Sequence, residues 1–349
     1  LVGNSFIAWR QNTQKALRAP ARVGRWARLC YGRAVHVGVL GGGVSGLTCA
    51  VALRLRGHEV SLWAELLPPA TTSNVAAAFW YPYKAEPPHR VLGWARTSHA
   101  RFVALASDPA AGICVREAIE VLRGPTPRPW WADAVPELRQ AAPERLPPGA
   151  VAGWSFDAPV VDTRVYLGFL RAWLDRLGVA IHQRRVASFA DVDADVLVNC
   201  TGLGARELCG DTSVFPIRGQ LVHVVDPGLD AVLIDEDDPR GIAYVVPRGD
   251  DCVLGGTADL DDASMVADPT TAAAILERCG SLSPLLHGAH AIAHVVGLRP
   301  GRAEVRLEPE TLPDGRRVVH DYGHGGAGVT LSWGCADEVC GHVDGAPPG

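Results

Sequence analysis

The stretch from Ala34 to Glu65, AVHVGVLGGGVSGLTCAVALRLRGHEVSLWAE, constrains this chain most, because it reads as strand, glycine turn, helix and second strand in register. Val35 to Leu40 is short and apolar, as in a strand buried on both faces of a parallel sheet. It runs into Gly41-Gly42-Gly43-Val44-Ser45-Gly46. In a G-x-G-x-x-G turn, Gly41 permits the tight bend, Gly43 lets a pyrophosphate approach the backbone and Gly46 lets helix and strand pack closely. Gly42 and Ser45 belong to the same expected cofactor contact. The phosphates then face the N-terminus of a helix, Leu47 to Arg56, where free N–H groups and the dipole favour an anion. Gly57 stops that helix, and Val60 to Trp63 supplies the next strand. Glu65, 19 residues beyond Gly46, is placed to accept hydrogen bonds from both hydroxyls of an adenosine ribose. This unit leaves NAD, NADP and FAD open, with Glu65 arguing against a 2'-phosphate.

Composition narrows the class. A chain of 349 residues, 48% hydrophobic and 20% charged, suits a soluble globular protein of two domains. The net charge of -5 and the lack of a basic stripe give no reason to expect nucleic acid or an acidic membrane surface as partner. No apolar run approaches the roughly 18 residues of a membrane-spanning helix. The nine cysteines contain no C-x-x-C pair, so they read as reduced thiols of a cytoplasmic protein, with Cys200 and Cys252 in the core. Residues 1–40 hold seven Lys or Arg and no Asp or Glu. Residues 1–33 are expected to be a disordered or mis-set N-terminal extension, with a transit peptide as the alternative, and the fold should begin near Ala34.

Further along, Thr71-Thr72-Ser73-Asn74 leads into the small residues Val75 to Ala78 and then Phe79-Trp80. Small residues in a row allow close backbone approach, so this segment is read as the rest for a flat ring. Residues 81–153 are rich in Pro and Trp and give a weak pattern, apart from an amphipathic helix over Leu92 to Ala106; Trp130 and Trp131 are left undecided between core and pocket wall. Asp162 or Thr163 caps a helix over Arg164 to Leu177, followed by strands over Val179 to Val186 and Asp195 to Gly202, the last ending in a Thr-Gly turn. Gln220 to Val225, Ala243 to Pro247 and Asp251 to Thr257 read as a largely antiparallel sheet, and Asp268-Pro269 opens a helix through Cys279. His287, His290 and His294 lack metal-ligand spacing and are expected to be solvated, and no metal is expected. Finally, His320 to Thr330 packs glycines around a strand-to-helix junction, implying another close approach to a ligand.

Taken together, VGVLGGGVSGL, TTSNVAAAFWYPY, ADVLVNCTGLGA, IRGQLVHV, YVVPRG with LGGT, GLRPGRAEVRLE and VVHDYGHGGAGVTLSWG resemble the D-amino-acid oxidase family, which includes D-aspartate oxidases, over about residues 34–340. The resemblance implies an α/β fold with a Rossmann-like FAD-binding domain and an interleaved mixed or antiparallel-sheet substrate domain. Residues 34–72, 160–202 and 300–345 are assigned to the first, and 73–159 and 203–299 to the second. It implies noncovalent FAD, a small-molecule D-amino acid and oxygen as substrates, and leaves a homodimer open. Arg299 matches the arginine that grips the substrate carboxylate, Tyr244 the tyrosine that bonds the same group, and Gly326 the glycine whose carbonyl accepts from the amine. Arg299, Gly325, Gly326, Ala327, Gly328, Val329 and Thr330 match flavin contacts, as do Ala77, Ala78 and Phe79 beside the ring, and Thr71, Thr72, Val186 and Thr201.

The implied chemistry is transfer of the α-hydrogen to flavin as hydride, imine hydrolysis to 2-oxo acid and ammonia, and reoxidation by oxygen to hydrogen peroxide. A planar guanidinium suits bidentate carboxylate binding. Two departures stand out: Asp235 to Ala243 is short, with Ala243 where a covering tyrosine is expected, and the peroxisomal C-terminal tripeptide is absent. The short segment implies an open site with easy entry and fast release. The alternatives are a D-aspartate oxidase, with Arg240 or Arg248 as the extra cation, a catalytically silent flavin-binding protein and a NAD-linked dehydrogenase.

Overall fold

The protein is described by a computed structural model covering residues 34–345; the expectation for residues 1–33 lies outside the described residues. The opening unit forms as its sequence demands. Strand β1 (His36–Leu40) is followed at the glycine turn by helix α1 (Val44–Leu55) and strand β2 (Glu59–Ala64). Gly41 and Gly57 both sit at positive φ, 117° and 95°, where a side chain is strained. A Cβ on Gly46 would lie 2.9 Å from the Gly41 carbonyl carbon, so only glycine lets the helix start this close to the strand.

The described strands form two sheets. The first has six strands in the order β14-β15-β7-β1-β2-β6, where β6 is Ala180–Gln183, β7 Val196–Asn199, β14 Arg306–Thr311 and β15 Arg317–Tyr322. Its pairings are parallel except for the β14–β15 hairpin. Apolar runs such as VGVL and VLV fill it because helices cover its strands. Helix α1 packs against α3 (Thr163–Arg176) and against the C-terminal helix α6 (Gly328–Asp344), which also meets α2 (Pro88–Leu105).

The second sheet has nine strands, with β12-β8-β11-β10-β9-β3-β5-β4 as its main path and β13 paired to β8. They are β3 (Ile113–Leu122), β4 (Arg139–Gln140), β5 (Ala152–Val161), β8 (Phe215–Val225), β9 (Ala231–Asp235), β10 (Ala243–Pro247), β11 (Asp251–Gly255), β12 (Asp259–Leu260) and β13 (Ala291–Gly301). All its pairings are antiparallel except β3 with β9. One face joins the main core; the other carries Ile119, Leu233, Val245 and Leu254 into a separate core under helix α5 (Pro269–Gly280). A one-turn helix, α4 (Ala205–Leu208), follows β7. Asp268 caps α5 by accepting from the Thr270 and Thr271 amides at 3.1 Å, and Pro269 opens it.

Several expectations shift. The strand expected over Val179 to Val186 stops at Gln183. Beyond it the Arg184 guanidinium stacks on Trp63 at 4.6 Å and donates to the Asp191 carbonyl, which draws the chain away from β2. Within the weakly patterned stretch lie two ten-residue strands, β3 and β5, that pair along their whole length. Trp131 is core, packed 4.8 Å from Phe156, whereas Trp130 is exposed. Ala243 faces the α5 core rather than the cavity described below.

Helix α6 crosses α2 at backbone distance: a Cβ on Gly334 would lie 2.6 Å from the Trp94 carbonyl carbon, while the Gly334 amide donates to Ser98 Oγ. Gly334→Ala is therefore expected to destabilise the protein by about 1–3 kcal/mol through overpacking. Urea unfolding measures this, and a wild-type midpoint would refute the close crossing.

Candidate active site

One cavity of about 710 Å³ runs between the two sheets, from the glycine turn to strands β10 and β13. Its first end is built by β1, α1 and β2. Gly41, Gly42, Gly43 and Ser45 line it together with Glu65. A Cβ on Gly42 would lie 3.0 Å from Ala64 Cβ and Leu67 Cδ2, and one on Gly43 3.0 Å from Ser73 Oγ, so the turn has no room for side chains. Helix α1 has no side-chain cap from Gly43; its Val44 amide donates to Ser73 Oγ at 3.0 Å. A helix start whose cap residue is a glycine, behind a bare glycine cradle, with a carboxylate 19 residues on from Gly46, fits the diphosphate and ribose of a dinucleotide.

The middle is lined by Thr71, Thr72, Val186 and Thr201, and beyond them by Ala77, Ala78 and Phe79. Thr71 Oγ1 donates to Asn74 at 2.8 Å and Thr201 Oγ1 to Asn199 at 2.7 Å. Thr330 Oγ1 donates to the Tyr81 carbonyl at 3.0 Å and accepts from the Tyr81 amide at 3.2 Å. That hydroxyl is thus spent fastening the 77–83 segment to the start of α6. Gly325, Gly326, Gly328, Val329 and Thr330 line the cavity opposite. Gly46 and Ala327 do not: Gly46 packs against Gly41, and Ala327 is fully buried.

At the far end lie Arg299 and Tyr244. Arg299, on β13, folds back over Gly219 and donates to the Thr257 carbonyl at 2.8 Å. No carboxylate among the described residues lies within 4.0 Å of it. Tyr244, on β10, is half-buried and touches Arg299; burial pushes its phenol up, and the neighbouring guanidinium partly offsets this. Arg240 and Arg248 do not reach the cavity. Arg240 pairs with Asp238 at 2.6 Å. Buried Arg248 pairs with Asp251 at 2.5 Å and donates to the Ala77 carbonyl at 3.1 Å, so it braces the ring-side segment. His287, His290 and His294 are exposed.

Other lining residues carry no motif: Leu221, Ile234, Ile242, Tyr81 and Tyr83 surround the Arg299 end. The signal that finds them is sheet register, since Ile234 pairs with Tyr244 and Tyr244 with Gly255, which pairs with Leu221. Behind Tyr81 sits Glu120, whose carboxyl is pushed up to about 7 by burial and by the neighbouring Glu236. A folded-state value above that of the unfolded chain means the native protein holds the extra proton, so stability falls as pH rises from about 4.5 to about 7. Glu120→Gln removes that loss. The variant should gain on the wild type by about 1–2 kcal/mol between pH 5 and pH 7.5 in urea unfolding, and a constant difference would refute it.

Residues 36–341 match the family model described as FAD dependent oxidoreductase. A D-amino-acid oxidase of Rubrobacter xylanophilus is 51% identical over 304 residues, covering 86% of this chain and 93% of that protein. One of Streptomyces coelicolor is 46% identical over 307 residues, covering 87% and 95%. The chain belongs to the D-amino-acid oxidase family of FAD-dependent oxidoreductases. A human D-aspartate oxidase in the same family is 35% identical over 320 residues, covering 87% of this chain and 93% of that protein. At the level of fold, glycine oxidase of Bacillus cereus superposes with a TM-score of 0.74 at 18% identity, covering 89% and 95%. FAD is thus the family's cofactor, and the glycine cradle at the start of α1 and the small-residue segment are the features that fit it.

Proposed function

We propose that this oxidoreductase is a D-amino-acid oxidase, converting a D-amino acid, oxygen and water to a 2-oxo acid, ammonia and hydrogen peroxide. The observation that carries this is Arg299, a guanidinium without a carboxylate partner among the described residues, beside the Tyr244 phenol at the end of the cavity remote from the dinucleotide turn. Arg299 binds the substrate carboxylate through its planar fork, and Tyr244 donates to the same group. The Gly326 carbonyl accepts from the substrate amine. Fixing both substituents of the α-carbon sets the direction of its C–H bond, which is the orientation the chemistry needs. When bound, FAD supplies the acceptor for the two electrons and passes them to oxygen. We assign the diphosphate and ribose to Gly41, Gly42, Gly43, Ser45 and Glu65, and the ring to Ala77, Ala78, Phe79, Gly325, Gly326, Gly328, Val329 and Thr330.

No general base is required of the chain. His324 lines the cavity, but its Nε2 is already paired with Asp321 at 3.0 Å. The D-aspartate reading needs a further cation at the side-chain end, and Arg240 and Arg248 are committed elsewhere. The eight described cysteines are free, which supports a reducing, cytoplasmic setting. Among the described residues no helix is long and apolar enough to cross a membrane.

The test is direct. Purified protein should be yellow, bleach anaerobically with D-alanine, and form peroxide when air is admitted. A protein that does not take up FAD, or a flavoprotein that no D-amino acid bleaches, would refute the proposal; the second result would identify a silent flavin-binding protein.

A further inference from the structure

We propose that Cys49, Cys200 and Asp321 form a binding site for a Zn²⁺ ion at the dinucleotide end of the cavity. The inference does not depend on the oxidase reading above. Its geometry begins with strand pairing. β7 and β15 run parallel with Asn199 opposite His320, and these two side chains meet at 3.2 Å on one face of the six-stranded sheet. The next residues, Cys200 and Asp321, therefore turn to the other face, which α1 covers. Cys49 lies on α1 about one turn beyond Gly46, where the helix comes so close that a Cβ on the glycine would lie 3.5 Å from Cys200 Cβ. Asp321 is 272 positions from Cys49 and 121 from Cys200, so no spacing in the sequence marks the three as a set.

The distances are those between ligands of one metal ion. Asp321 Oδ2 lies 3.4 Å from Cys49 Sγ and 3.6 Å from Cys200 Sγ, and the two thiols are within hydrogen-bonding reach of each other. Tetrahedral zinc, about 2.3 Å from sulfur and about 2.0 Å from oxygen, holds a sulfur and an oxygen ligand roughly 3.5 Å apart. Charge points the same way. The Asp321 side chain is fully buried, accepts from no backbone amide and pairs with no Arg or Lys among the described residues; besides the two thiols it meets only His324 Nε2, at 3.0 Å. A buried carboxylate in that state is costly unless a cation arrives.

The donor set selects the ion. Two sulfurs with one carboxylate suit zinc, whereas magnesium and calcium require oxygen ligands. The thiols donate to the carboxylate, and the ion takes the place of their two protons, which leave to solvent. His324 holds the other carboxylate oxygen from behind, the support that a ligating carboxylate needs. Cys335 groups with Asp321 and His324 rather than with the two thiols. Cys200 and Asp321 line the cavity, which gives the ion a way in and leaves its fourth position to a water.

The test uses the full-length holoenzyme with its thiols reduced. After equilibration with Zn²⁺ and gel filtration, the wild type should retain one zinc per chain more than Cys49→Ala/Cys200→Ala does, and Cys114→Ala, at an exposed thiol, should retain as much as the wild type. Co²⁺ in place of zinc should give the sulfur-to-cobalt charge-transfer band of a thiolate site, absent from the double variant. His324→Gln should weaken zinc binding by about ten- to a hundredfold. Zinc should also raise the melting temperature of the wild type, reversibly with chelator, and leave that of the double variant unchanged. Asp321→Asn, nearly isosteric, carries the same comparison if the double variant does not fold. Equal zinc content in the wild type and these variants, or a wild-type cobalt spectrum without the thiolate band, overturns the inference. Bleaching by D-alanine is read separately: a zinc-retaining flavoprotein that no D-amino acid bleaches upholds this site and refutes the oxidase reading.

Discussion

Arg299→Ala is expected to lower kcat/KM for a D-amino acid by roughly a hundredfold to a few thousandfold, the equivalent of about 3–5 kcal/mol of carboxylate recognition. The size follows from where Arg299 sits. It lies inside the cavity, held by the Thr257 carbonyl and flanked by Tyr244, with no carboxylate of the described residues to satisfy it. Substrate therefore brings the counter-ion, and deleting the guanidinium strands a carboxylate against the Tyr244 phenol alone. Arg299→Lys keeps the charge but not the fork, so it should recover only part of the loss. Both variants should keep their flavin absorbance, which separates substrate recognition from cofactor retention. An unchanged KM in Arg299→Ala would remove Arg299 from the carboxylate site.

Glycine-rich turns made the cofactor end of this cavity legible in the sequence, because the requirement there is local. Gly41 sits at a φ open to few other residues, and Gly46 abuts the Gly41 carbonyl five positions away. The strand, helix and strand that follow need only local periodicity to be seen. The substrate end is different. Tyr244, Ile234 and Glu120 stand in one row only because β10, β9 and β3 pair, and β3 pairs in parallel with β9, more than a hundred residues on. No local pattern encodes that register. The charged residues Arg116, Glu117 and Glu120 even blur β3 as a strand. The same limit explains Arg248: its charge suggests a ligand, whereas partners on two other segments, Asp162 and Ala77, make it a brace. Ala243 fails as a stand-in for a covering tyrosine for a simpler reason, since strand alternation turns it away from the face that Tyr244 presents.

Gly255→Ala and Gly219→Ala should disable the substrate end without removing a polar group from it. Tyr244 and Gly255 are direct partners across β10 and β11, and the Tyr244 ring lies over the bare glycine, where a Cβ would overlap it. A Cβ on Gly219 would lie 2.5 Å from the Arg299 guanidinium carbon. Neither group can step aside freely: Phe79 stands 6.3 Å from the Tyr244 ring, and Thr257 holds Arg299. Each alanine should cost about 1–3 kcal/mol of stability through overpacking. The larger consequence is a tilted phenol or guanidinium, for which a misplacement of about 1 Å can cost on the order of a hundredfold in rate. A merely structural role would lower the melting temperature and leave KM unchanged in the folded fraction, so KM for D-alanine is the deciding measurement. The cause can be isolated by a double-mutant cycle. In a Tyr244→Ala background the ring is gone, and Gly255→Ala should then add almost nothing to the loss in kcat/KM. A full additional loss in that background would show that Gly255 acts on the site by some route other than the Tyr244 ring.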